Sequence, residues 1–241
     1  HDDIVDDAHE RRGCLSVNAL WNSKIAVLVG DYMLSRGMAI SLEKKRYDML
    51  EIVSDAVRSM SEGELLQLQK SRKMNISEDD YYRIIRSKTA ALIAACTACG
   101  AKSVSENPDT IRKMKDFGEN IGIVFQIKDD LLDYEPNGLT GKLTGNDIKE
   151  RKITLPLIYA LENASVSVRR QILSIVKNRK KTKAEINQVI DFVRSSGGPE
   201  FTEQKMNLYR DKALEILGTY AESEIRDSLQ RFVNYTASRN K

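Results

Sequence analysis

The chain has 241 residues and a formal net charge of +3, enough length for one large domain or two small ones. Its 41% apolar and 30% charged residues are ordinary for a soluble globular protein, and so small a net charge argues against nucleic acid or an anionic membrane as partner. Three cysteines (Cys14, Cys96, Cys99) are too few for a disulfide framework and fit a reducing cytoplasm, while uncharged apolar runs such as IAVLVG fall far short of a membrane span.

Periodicity near 3.6 dominates and no convincing alternating strand interrupts it. The spacing predicts helices at about 2–10, 16–36, 42–70, 78–101, 108–134, 152–163, 166–179, 183–196, 199–218 and 222–237, in a single all-α domain over 1–241. The first helix carries DDIVDD, in which Asp2 and Asp6, and likewise Asp3 and Asp7, stand four apart on one face. The second contains LWNSKIAVLVGDYMLSRG, apolar on more than one side and therefore a candidate for burial against a partner. The helix at 78–101 opens on SEDD, a Ser cap with an acidic first turn. It contains RSKTAALIAAC, and its Cys96-x-x-Cys99, lacking a second pair, reads as core. Pro108 and Pro199 sit where a first helical turn tolerates proline, and Gly100 and Gly197-Gly198 stop their helices. The helix at 108–134 ends in DDLLD, with Asp129 and Asp133 on one face and Asp130 beside them. The loop EPNGLTGKLTGNDIKERK after it holds three glycines and four basic residues, a functional composition for so long a loop in an all-helical protein. The basic run KNRKKTK at 177–183 reads as a solvated helix–helix corner.

Carboxylates paired at helical spacing repel one another, and a divalent cation reverses that sign. Magnesium suits them, because it keeps several waters and binds through one or two carboxylates together with substrate phosphates. Two such clusters from different helices can clamp a diphosphate through bridging ions, with Arg11, Arg12, Lys88, Lys142 and Lys152 as candidate cations for the remaining oxygens. Below the charged ends, Gln126, Gly122 and Gly118 on one helix and Ala91, Ala95 and Cys99, with Leu92, on another form two faces that turn from polar to small. They are read either as the lining of a tunnel or as close helix packing. The tunnel reading predicts that Gly122→Phe or Ala95→Phe shortens the product.

DDIVDDAHERRG, KTAAL, FQIKDDLLDY and GNDIKERKITLPLIYAL together resemble the trans-isoprenyl diphosphate synthases, the longer-chain polyprenyl synthases above all, over essentially the whole chain. The resemblance implies the isoprenoid synthase fold, an all-α helical bundle around a central cavity. It implies Mg²⁺, three ions per site, and a 1'–4 condensation. An allylic diphosphate ionises, isopentenyl diphosphate attacks the cation, and a proton is lost to the departing diphosphate. By motif, Asp2, Asp3 and Asp6 and then Asp129, Asp130 and Asp133 become metal ligands, with Asp129 principal in the second cluster and its neighbours acting through water. Arg11, Lys88 and Lys142 hold the allylic diphosphate, Arg12 contacts isopentenyl diphosphate, Thr89 and Gln126 lie near the carbocation, and Lys152 approaches from the loop. His1 and His9 are expected bystanders. A homodimer is the assembly that the resemblance implies.

The family carries helices before its first aspartate motif that grip isopentenyl diphosphate, and these do not precede His1 here. The resemblance therefore implies that a polypeptide beginning at His1 has little or no synthase activity, which robust turnover of isopentenyl and farnesyl diphosphates would contradict. A terpene cyclase of the same fold is the less favoured alternative, because the second motif is all aspartate and aromatics are 6%. A non-catalytic subunit of a heteromeric synthase is expected to lose one aspartate cluster, and both are intact.

Overall fold

The structure is a computed structural model that describes residues 1–5, 8–11, 13–135 and 145–240, the side chains of Asp2 and Arg11 excepted. The chain forms two compact units, His1–Ile52 and Val53–Lys241.

In the first unit α1 (Asp2–Val5) is much shorter than the expected helix over 2–10. It is followed by a two-residue antiparallel ladder, β1 (Glu10–Arg11) on β2 (Cys14–Leu15), where no strand was expected. Gly13 takes φ +76 between the strands, a turn conformation open to glycine at little cost. The helix expected over 16–36 is divided by two caps. The Ser16 hydroxyl accepts from the Ala19 amide at the start of α2 (Val17–Leu20) and donates to the Ala8 carbonyl, while Asn22 Oδ1 accepts from Ile25 at the start of α3 (Ser23–Glu43). α3 runs on through Gly37 and stops only where Lys45 takes φ +55. Of its 21 residues only Ala26 is buried. The His1 ring lies over Gly30, bonded to the Val27 carbonyl at 3.0 Å and to Asp31 at 3.1 Å. By length and composition alone, Ser23–Glu43 and the continuous helical stretch Glu78–Lys102 are apolar enough to cross a membrane. Their isoleucines, leucines, valines and alanines raise mean hydropathy, but charged and small polar residues break them into short apolar runs, which is why inspection of runs missed them.

α4 (Tyr47–Lys73) carries the division at Ile52. In the second unit, Ser77 caps α5 (Glu78–Ile85) through a reciprocal box with Asp80, whose carboxylate also pairs with Lys70 at 2.6 Å. A π-helical turn, Arg86–Ala90, joins α5 to α6 (Ala91–Lys102). Asn107 and Pro108 start α7 (Pro108–Leu132), the central element, against which α6 and α12 do most of their packing. The remaining helices are α8 (Asn146–Lys149), α9 (Leu155–Glu162), α10 (Val166–Lys177), α11 (Lys183–Ser195), α12 (Gly198–Gly218) and α13 (Glu224–Ser238). One core gathers Ile123, Ile127, Leu155, Leu157, Val189 and Val193, and a second gathers Phe117, Ile121, Leu217 and Val233. The acidic end of α7 stands at the edge of the first.

The small-residue faces do not leave a tunnel between them. A Cβ on Gly122 would lie 2.5 Å from Ala90 Cα, and one on Gly118 would collide with Thr97 Oγ1 and come within 2.8 Å of Ala94 Cα. Glycine is needed there because α6 lies directly on α7, so the close-packing reading replaces the tunnel reading. The cysteine pair departs from its core assignment as well. Cys96 is exposed and Cys99 half-buried, while Ala94, Ala95, Ala98 and Ala101 are the residues packed inside.

Candidate active site

The site is assembled from the π-turn and the last two turns of α7. A π-turn re-aims side chains relative to an α-helix and frequently marks a functional position. Here α4 holds it: a Cβ on Gly63 would lie 2.7 Å from Ser87 Cβ and 2.8 Å from the Lys88 amide nitrogen, so only glycine lets α4 approach so closely. The next residue, Glu64, pairs with the Lys88 ammonium at 2.5 Å, both side chains being largely buried.

From Thr89 a hydrogen-bonded chain crosses to α7. Thr89 Oγ1 donates to Gln126 Oε1 (2.8 Å), Gln126 Nε2 donates to Asp130 Oδ1 (2.9 Å), and the Tyr81 hydroxyl donates to Asp130 Oδ2 (2.6 Å). Asp130 is 4% exposed. Burial pushes its carboxyl up to about 7; the Tyr81 and Gln126 hydrogen bonds pull downward and the Asp129 charge pushes up again. The Tyr81 phenol is raised by burial and then by Asp130, so it stays a donor.

Asp129 and Asp133 face other partners. Arg239, at the end of α13, pairs with Asp129 at 2.8 Å, donates to the Phe125 carbonyl at 3.2 Å, and stacks its guanidinium 4.2 Å from the Phe125 ring centroid. The Asp133 carboxylate accepts from the amides of Asn146 (2.9 Å) and Asp147 (3.0 Å), and its carbonyl from Gly145 (3.0 Å), which ties α8 to the end of α7. Burial raises the Asp133 carboxyl. Asp147 is raised well above its ordinary value by burial and then by Asp130 and Asp133. Lys152 pairs with Glu150 at 2.6 Å, and its charge pulls both Asp130 and Asp147 downward.

Lys88, Thr89, Gln126 and Asp130 are thus brought together, with Asp129, Asp133 and Lys152 around them. Asp130, expected to act on a metal through water, accepts one hydrogen bond inside the protein at each oxygen. Asp3 lies in α1 of the first unit. Asp6, Arg12, Lys142 and the side chains of Asp2 and Arg11 lie outside the described residues. Sequence reasoning missed Tyr81, Glu64, Arg239 and Asp147. Of these only Asp147 carried a signal, as the aspartate of GNDIKERK, a segment already singled out.

The donor set at the end of α7 is all carboxylate oxygen, crowded enough that Asp130, Asp133 and Asp147 are each harder to ionise than usual. The protein's own Arg239 already sits on Asp129 as a cation. Both observations fit a hard divalent ion better than a soft one. Among the described residues, no group of three or more His, Cys, Asp or Glu is arranged to hold such an ion unaided.

The polyprenyl synthetase family model matches residues 1–193. Octaprenyl diphosphate synthase of Escherichia coli (strain K12) is 31% identical over 242 residues, covering 100% of this chain and 75% of that protein. Among solved structures, a decaprenyl diphosphate synthase from Rhodobacter capsulatus matches with TM-score 0.92 and 33% identity, over 100% of this chain and 74% of that one. A polyprenyl synthase from Caulobacter crescentus CB15, complexed with calcium and isoprenyl diphosphate, matches with TM-score 0.90 and 32% identity over the same shares.

Proposed function

The chain belongs to the polyprenyl synthetase family, and from that membership we infer that it is a prenyltransferase adding isopentenyl diphosphate to an allylic diphosphate. The observation that carries the reading onto this chain is the side-chain network joining Lys88–Thr89 to the acidic end of α7.

Lys88 binds a diphosphate oxygen of the allylic substrate, its ammonium aimed by Glu64. Magnesium, when bound, neutralises the diphosphate so that the carbon–oxygen bond breaks with its electron pair on the leaving group. Asp129 would be the principal holder of the ion from the second motif, with Asp133 and Asp147 supporting it through water. Asp2, Asp3 and Asp6 hold the ions of the first motif, and Arg11, Arg12 and Lys142 take the remaining diphosphate oxygens, with Lys152 approaching from the loop. Thr89 and Gln126 oxygens face the developing cation. Three ions per site, a homodimer formed through α3, and a cytoplasmic location without a membrane span complete the reading. No observation favours a cyclase or a non-catalytic subunit.

The test is calorimetric titration with farnesyl diphosphate, with and without Mg²⁺, alongside mass analysis of the products that the full-length protein forms with labelled isopentenyl diphosphate. Magnesium-dependent binding and stepwise chain growth are expected. Binding indifferent to chelation, or consumption of the allylic substrate without incorporation of label, overturns the reading.

A further inference from the structure

Resting on that prenyl-transfer reading, we propose that Asp130 and Tyr81 are positioning residues rather than parts of the metal site: acting through Gln126, they fix the Thr89 hydroxyl so that it presents only lone pairs to the allylic cation.

Donor and acceptor bookkeeping along the chain leaves one arrangement. Both Asp130 oxygens accept, Oδ2 from the Tyr81 hydroxyl and Oδ1 from the Gln126 amide nitrogen at 2.9 Å, and both hydrogen bonds favour the ionised form against the opposing effect of burial. The amide carbonyl then faces Thr89 and also only accepts, so the Thr89 hydroxyl spends its one hydrogen there, at 2.8 Å. What remains on Thr89 Oγ1 is two lone pairs, the end of the dipole that stabilises positive charge. The carboxylate charge polarises the two hydrogen bonds in series and adds to that end. Tyr81 closes the arrangement from behind. Its hydroxyl holds Asp130 Oδ2 at 2.6 Å and keeps the carboxylate from turning out toward an ion on Asp129. With both oxygens accepting from protein donors and 4% of the residue exposed, Asp130 has little to offer a hydrated magnesium.

Asp130→Asn tests this, because an asparagine can offer its amide nitrogen to Gln126, turn that amide over, and reverse the Thr89 hydroxyl. Binding of Mg²⁺ with inorganic diphosphate, measured by calorimetry, is expected to stay within about threefold of wild type. With farnesyl and isopentenyl diphosphates, kcat is expected to fall by roughly ten- to a hundredfold with KM little changed, as when one preorganised dipole is lost from a charge-stabilising site. In a Thr89→Val background the same substitution is expected to cost less than about twofold, since the group it acts through is gone. Tyr81→Phe removes one hydroxyl and leaves the fold's packing in place. It is expected to show the same pattern at smaller size, and it carries the test should Asp130→Asn fail to fold. Tenfold or greater loss of Mg²⁺–diphosphate binding would overturn the proposal, as would equal losses with and without Thr89. The activity measurements are made on the full-length protein, and full-length wild type that binds Mg²⁺–diphosphate yet makes no product would overturn the prenyl-transfer reading and the cation role with it. The calorimetric arm would still decide whether Asp130 binds the ion.

Discussion

At the scale of single residues, opposite charges at the end of α7 compete for the same partners. Asp129 is already paired with Arg239, whose side chain is only 12% exposed and is held in place over the Phe125 ring. A magnesium ion that takes Asp129 must first displace that guanidinium. Arg239→Met keeps most of the aliphatic contact and removes the competing charge. It should therefore tighten binding of Mg²⁺ alone, by about three- to tenfold for an ion pair worth roughly 1 kcal/mol, as read by calorimetric titration; unchanged or weaker binding would show that the pair does not gate the ion. Neither this pairing nor the Tyr81–Asp130 bond was legible in the sequence. The partners stand 110 and 49 positions apart, and a lone Arg or Tyr carries no mark of what it will meet. Lys88, Thr89 and Gln126 were legible because each lies inside a short motif whose helical spacing fixes its face.

At the scale of elements, caps and close contacts decide where helices begin and how near they come. Ser77 and Asp80 cap α5, and Lys70 beside Asp80 holds its carboxyl below the ordinary value of 3.8, against the opposing pull of partial burial. Because the folded-state value is lowered, this charge contributes stability that is fully present above about pH 4 and is lost as pH falls through the lowered value. Asp80→Asn keeps an oxygen for the Ser77 amide and removes only the charge. Urea unfolding should show a loss of about 1–2 kcal/mol at neutral pH, shrinking as the pH is taken below 3.8; a constant deficit would deny the charge its role. The contact of α7 with the π-turn predicts a sharper effect. Gly122→Ala drives a methyl to 2.5 Å from the Ala90 backbone, where no flexible side chain can move aside. The overpacking should cost on the order of 1–3 kcal/mol, although alanine is the better helix former by about 1 kcal/mol. Stabilisation by this substitution would reopen the tunnel reading. The sequence showed that glycine was wanted on this face, but space kept empty and space filled by a neighbour call for the same residue. The π-turn was invisible for a related reason, since a shift of hydrogen-bond register from four to five residues requires no particular side chain.

At the scale of the whole molecule, α3 offers a long apolar surface that calls for a partner. Leu28, Tyr32 and Met33 are each about two-thirds exposed, and only Ala26 of the helix is buried. Twenty-one residues give a helix of about 30 Å, long enough either to cross a bilayer or to meet a second copy of itself along its length. The charges choose between the two. Lys24, Asp31, Arg36 and Glu43 are spread along it, and a span would place Asp31 and Arg36 in hydrocarbon at a cost of several kcal/mol. A two-fold pairing of α3 leaves both at a rim where water reaches them. The sequence had already shown this helix to be apolar on more than one side, but it placed its end near 36 and so understated the surface by about two turns. Leu28→Glu with Met33→Glu adds charge on the exposed surface without touching Ala26, so the fold of the protomer should persist. Light scattering after gel filtration should then show a dimer for the wild type and half that mass for the double variant, with both in the soluble fraction. A wild-type monomer, or recovery of the wild type only with membranes, would remove pairing through α3 from the account.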